Sequence, residues 1–206
     1  MLKIENVEVY GWEAAIRGMR NPLNSWARSD STWNAFGAAD GFAVGDEDFD
    51  LMMKLADGGS SHAKYRRMIT VTLDINAPLY WWKEFDTYKV GTVANSCSTM
   101  HKIHSRDLTL DDFSTDHLKH EAIGHMIVTI DILNWYRKKY LETKEKDMWW
   151  QMIQLLPTSY NQRRTVLLNY EVLAAIYRDR RHHKLDEWHV VCDWIESLPY
   201  SEIITG

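Results

Sequence analysis

Between residues 66 and 75 the chain alternates: Ile69, Val71, Leu73 and Ile75 fall on one side, and Met68, Thr70, Thr72 and Asp74 on the other. This alternation, carried by β-branched residues, predicts a half-buried strand. Pro78 then suits the first turn of a helix, where a missing N–H is tolerated. Residues 79–85 give that helix a dense aromatic face, and residues 90–98 end it in a polar loop with hydroxyls, an amide and a thiol. Strand, helix and loop, spanning residues 61–101, make a corner suited to a small molecule.

The flanking pattern fills in the other elements. Residues 4–10 alternate Ile, Val and Val against Glu, Asn and Glu, which predicts a first strand beside the 66–75 strand. Residues 13–19 predict a short helix ended by Asn21-Pro22, and residues 25–45 a loop with room for one helical turn. Asp46 is the expected N-cap of a helix with Phe49, Leu51, Met52 and Leu55 as its stripe, stopped by Gly58-Gly59. Ser114 or Thr115 is expected to cap a long helix to about Tyr140, with Leu118, Ile123, Met126, Ile127, Ile130, Leu133 and Trp135 as apolar positions. Asp147 caps residues 148–155, which Leu156-Pro157 close. Residues 161–181 read as one helix through Val166, Leu167, Leu173 and Ile176, and residues 185–198 as the last, ended by Pro199. Strands in the first half and helices in the second predict a single α+β domain over residues 1–206.

Composition narrows the function classes. A net charge of −5 argues against a dedicated nucleic-acid binder but leaves a nucleotide open, which needs only a local group of cations. Two distant cysteines, Cys97 and Cys192, make no disulfide framework and point to a reduced, cytoplasmic setting. The N-terminus lacks a signal-peptide pattern, and no apolar run approaches the ~20 residues of a membrane helix, so no membrane partner is expected. Ten Trp in 206 residues must supply core and interface.

Candidate chemistry follows. His120 and His125 are five residues apart, not the four a zinc-protease helix needs, so their rings diverge. His101/His104 and His117/His120 can each share a helical face, but with no third ligand no metal is expected. Cys97 shows neither a base nor a feature that would lower its pKa, and reads as a buried structural thiol. Arg178, Arg180, Arg181 and Lys184, with His182 and His183, form the densest cation group; a helix C-terminus or a phosphate explains it. Arg163-Arg164, placed in the first turns of the same helix, oppose the dipole and call for an anion, a phosphate or Glu171.

Residues 62–98 resemble the flavin-dependent thymidylate synthases, the ThyX family. There a His-containing turn leads into a strand, Ala-Pro opens a helix, and the signature Arg-His-Arg-x-x-Ser-x-Asn-Glu-x-Ser-x-Arg follows. His62, the strand and Ala77-Pro78 fall in register. Thr87-Tyr88-Lys89 stands in place of Arg-His-Arg, Thr92 in place of the first serine, and, after one inserted residue, Asn95-Ser96-Cys97-Ser98 in place of Asn-Glu-x-Ser. Met100 replaces the final arginine. Leu156-Pro157, Asn169 and Arg180 match the later Leu-Pro, flavin-contacting Asn and substrate-contacting Arg, whereas Ile153 and Glu171 stand where the family has arginines.

The resemblance implies a small, mostly antiparallel sheet packed by helices, with a helix-rich second half. It implies methylation of dUMP, or a related pyrimidine nucleotide, with methylene-tetrahydrofolate and FADH₂, reduced in turn by NADPH. It implies catalytic roles for Arg180 and Ser98, FAD contacts at His62, Lys89, Asn95 and Asn169, and substrate contacts at Ser98, Arg178 and Arg180. Family members are tetramers with sites between subunits, so a homo-oligomer is expected. The changes in the signature favour an alternative, a ThyX-fold protein that binds or sequesters a different nucleotide or signalling molecule. A third reading is a purely structural or partner-binding domain.

Overall fold

The computed structural model describes residues 2–33 and 41–206. The rest of the expected 25–45 loop lies outside the described residues. In chain order the elements are β1 (Lys3–Tyr10), α1 (Trp12–Arg20), β2 (Thr32–Trp33), β3 (Phe42–Ala43), α2 (Asp46–Asp57), β4 (Thr70–Pro78) and α3 (Leu79–Phe85). After these come β5 (Val93–Ser96), α4 (Thr99–Lys102), α5 (His120–Thr143), α6 (Lys146–Leu155), β6 (Asn161–Asn169), α7 (Tyr170–Arg180), α8 (Asp186–Glu196) and α9 (Glu202–Thr205). The architecture is mixed α and β around a small antiparallel sheet of order β1-β4-β6-β5. β2 and β3 pair separately, antiparallel.

The alternation read from the sequence sets the central strand. Val71, Leu73 and Ala77 are each 0% exposed and Ile75 is 2%, while Thr70, Thr72, Asp74 and Asn76 on the other face are half-buried; Ile69, just before the strand, is also 0% exposed. A one-turn helix, Ala63–Arg67, occupies the ground where the strand was expected to begin. β1 lies beside β4 as expected. Pro78 is the last residue of β4 and the N-cap of α3, with extended φ −68° and ψ 151°, and not its first helical residue. α3 buries Trp81, Trp82 and Phe85, whose rings pack with centroids 4.9–5.3 Å apart.

By its contacts the chain forms two compact units. One comprises the chain up to Glu5, Asp74–Thr87 and Asn95–Thr165. Here α5 and α6 pack with Ile103, Leu108, Phe113, Ile130, Leu133 and Met152 as a buried cluster. The other comprises Asn6–Leu73, Tyr88–Ala94 and Val166–Gly206. It buries Met52, Leu173, Ile176, Trp188, Ile195 and Ile203, with Trp12 edge-on to both Tyr170 and Tyr200.

Several expectations are corrected. Residues 161–181 are a strand and then a helix: Val166 and Leu168 are buried on one side of β6, and Leu167, expected in the core, is 42% exposed. Arg163 and Arg164 therefore sit on a strand, not at a helix N-terminus. The polar loop after α3 contains β5, whose four residues are all exposed. Gly45, not Asp46, caps α2. The long helix begins at His120 with Lys119 as N-cap, beyond Ser114 and Thr115, and α6 begins at Lys146 after Glu145. Cys97 is exposed and Cys192 buried.

Candidate functional site

In the second unit, α7 and the turn at residues 88–92 meet. Asn169 caps α7: its Oδ1 accepts the Val172 N–H at 3.0 Å, which satisfies a donor the helix cannot pair itself. Gly91 holds φ at +81°, a conformation that favours glycine, and a Cβ there would lie 2.9 Å from Asn169 Nδ2. The turn is thus pressed onto the helix start. It is closed by the Thr92 N–H donating to the Lys89 carbonyl at 3.4 Å.

At the other end of α7, Arg180 Nε donates to the Tyr88 hydroxyl at 2.9 Å. Its guanidinium lies 4.9 Å from the Trp188 ring centroid and 5.6 Å from that of Tyr88. Burial raises the Tyr88 hydroxyl pKa, and the Arg180 bond partly opposes this. Lys89, next to Tyr88, is exposed. The 88–92 turn thus reaches both ends of α7, Asn169 at its start through Gly91 and Arg180 at its end through Tyr88.

The other expected residues fall elsewhere or face solvent. Arg178 is exposed, with its Nε 3.0 Å from Asp179 Oδ1. His62 is exposed near the end of α2, and a Cβ on Gly58 would lie 3.1 Å from its Cβ. Asn95 and Ser98 belong to the first unit and are exposed; Asn95 lies in β5, and Ser98 Oγ caps α4 by accepting the His101 N–H at 3.2 Å.

Glu171 does not stand as a bare negative charge at the start of α7. Arg66 Nε donates to its Oε2 at 2.8 Å, and Arg66 Nη1 donates to the Ile203 carbonyl at 3.0 Å. Arg163 faces Asp74 at 2.7 Å and Glu5 at 3.4 Å. Arg164 is bonded to Asp86 at 2.8 Å and stacks 4.1 Å over the Trp82 ring. Tyr88, Trp188 and Arg66 were the site-shaping residues not found in the sequence. Tyr88 was visible only as a change in a charged triplet; Trp188 and Arg66 gave no local signal.

Among the described residues no group of three or more His, Cys, Asp or Glu side chains could hold a metal ion. Among the same residues, no helix is long and apolar enough to cross a membrane.

The fold is that of the flavin-dependent thymidylate synthases. The chain is similar to ThyX of Helicobacter pylori in its complex with FAD and dUMP, at TM-score 0.69 and 14% identity over 98% of this chain and 97% of that one. A second structure of the same enzyme with FAD and dUMP gives TM-score 0.69 and 13% identity, covering 100% and 97%. The UMP/dUMP methylase PolB of Streptomyces cacaoi bound with 5-Br dUMP gives TM-score 0.66 and 12% identity, covering 100% and 95%. No protein-family model matches the chain, and no curated protein matches it by sequence.

Proposed function

We propose that the protein binds a pyrimidine nucleoside monophosphate at the Lys89 turn and the end of α7. The observation that carries this is the meeting of Arg180 with Tyr88 and Trp188 beside Lys89. Support comes from the likeness to enzymes crystallised with dUMP or bound to 5-Br dUMP. Arg180 offers a planar cation to negative charge on a pyrimidine ring, the logic of an oxyanion site. Lys89 offers a point charge to a phosphate. Asn169 and Arg178, in the same unit, are the further polar contacts of this reading, and a homo-oligomer is expected.

A flavin dinucleotide needs cations for a diphosphate, and three of the arginines are already engaged. Arg66 is taken up by Glu171, Arg164 by Asp86 and Trp82, and Arg163 by Asp74 and Glu5. Flavin-dependent methylation of dUMP with methylene-tetrahydrofolate is the second reading, favoured by the match to an FAD- and dUMP-bound enzyme along nearly the whole chain.

Calorimetry of the purified protein against dUMP and UMP tests the first reading. Saturable binding is expected, weakened about ten- to a hundredfold by Arg180→Ala, the effect of removing one charge-assisted hydrogen bond. No binding of any pyrimidine nucleotide would reject it. Flavin absorbance that survives desalting, with release of the C5 proton of dUMP, would establish the second.

A further inference from the structure

Away from the Lys89 turn, the second unit holds a cleft of about 820 Å³, within the roughly 300–1,000 Å³ of small-molecule sites. Glu47, Asp50, Leu51, Lys54 and Leu55 line it from α2, at the spacing of one helical face. The end of α1 and the turn after it contribute Met19, Arg20 and Leu23, and residues 61–68 contribute His62, Lys64 and Met68. The lining is mainly apolar, and with Arg20 paired to Asp48 and Arg28 to Glu47 its remaining charges are Lys54 and Lys64 against Asp50. Arg28 is bonded to Glu47 at 3.2 Å, while Lys54 and Lys64 are exposed.

Arg20 adds an independent sign. It is 3% exposed and its Nε donates to Asp48 at 2.6 Å, but its buried Nη2 has no hydrogen-bond partner among the described residues. Buried donors are rarely left so, and each one calls for an explanation.

We propose that this cleft binds an amphipathic organic anion. An apolar body packs on Met19, Leu51, Leu55 and Met68. A carboxylate, phosphate or sulfonate head is drawn by Lys54 and Lys64, with Arg20, which lines the cleft and has a donor without an acceptor among the described residues, as the third cation. His62 then belongs to this site and not to the Lys89 turn. Lys89, Asn169 and Arg180 do not line the cleft, so the proposal stands or falls apart from the nucleotide reading.

The test is fluorescence titration of the full chain with the anionic dye 1-anilinonaphthalene-8-sulfonate. Wild type is expected to bind one equivalent saturably. The Lys54→Glu/Lys64→Glu variant, shown folded by circular dichroism, should bind at least ~10-fold more weakly, a step of one decade in Kd. It should gain affinity for the cationic dye thioflavin T. Equal affinity of the dye for wild type and variant would overturn the proposal. So would loss of binding on Trp135→Glu, which lies on the exposed side of α5, or displacement of the dye by dUMP.

Discussion

Replacing Arg66 by Met should destabilise the protein by about 3–5 kcal/mol, the cost of breaking one partner of a buried ion pair. The structure supplies the terms. The Arg66 and Glu171 side chains are 10% and 18% exposed and meet at 2.8 Å. Two charges ~4 Å apart at an effective dielectric of about 20 attract by ~4 kcal/mol, and their desolvation is already met in the folded state. The variant leaves a partly buried Glu171 without its cation and the Ile203 carbonyl without the Arg66 donor. The exposure of Glu171 places the expectation in the lower half of that range. Arg66→Met/Glu171→Met removes both charges and should cost ~1 kcal/mol or less, because apolar replacement of a whole buried pair is often neutral. Urea unfolding followed by tryptophan fluorescence reads both, provided the slope with denaturant is unchanged. A single-variant cost under ~1 kcal/mol, or strict additivity in the double variant, would refute the claim that Arg66 is what makes Glu171 tolerable at the start of α7.

Three further outcomes follow from single contacts. Asn169→Ala should lower stability by ~1 kcal/mol through loss of the α7 cap, while Asn169→Asp keeps it, as read by the urea midpoint. Gly91→Ala should cost about 1–3 kcal/mol, since alanine must adopt a left-handed φ and press on the Asn169 amide; an unchanged melting temperature would contradict this. Burial pushes the Asp48 carboxyl up, but bonds from Ser29, Ser31 and Arg20 outweigh it and hold the group below the usual carboxylate range. Its stabilisation is therefore complete above the unfolded value of ~4 and lost as pH falls through the lower folded value, so Asp48→Asn should flatten the acid limb of the stability profile below about pH 4.

What could be read from the sequence divides along physical lines. β4 was legible because one face is wholly buried, so every second residue is apolar. β5 was not, because all four of its residues are exposed and only backbone pairing makes it a strand. β6 was mistaken for helix because Leu167 follows Val166, which masks the alternation, although Asn169 carried a readable cap signal for the helix behind it. At the site, Lys89, Asn169 and Arg180 could be named from their order in a family pattern. The bond from Arg180 to Tyr88 spans 92 residues and that from Arg66 to Glu171 spans 105, and no local pattern encodes either.

Fold and ligand chemistry are therefore set by different residues, and the two can drift apart. Ile69, Val71, Leu73, Trp81 and Trp82 are all at or near zero exposure, and hydrophobic residues of suitable shape at such positions suffice to hold an architecture. Thr87, Tyr88 and Lys89 do little for that core, yet they stand where the family signature places three basic side chains. Each lost charge-assisted hydrogen bond is worth about 1.5–3 kcal/mol, so two together remove ~3–6 kcal/mol, a hundred- to more than ten-thousandfold in affinity. Arg163 is half exposed and its ion pairs are weak, so it is the arginine most easily redirected to a ligand. Arg66 is not, because turning it outward strands Glu171. The proposed nucleotide reading asks Lys89 and Arg180 for one phosphate and one pyrimidine ring, whereas a flavin dinucleotide would ask for a diphosphate site as well.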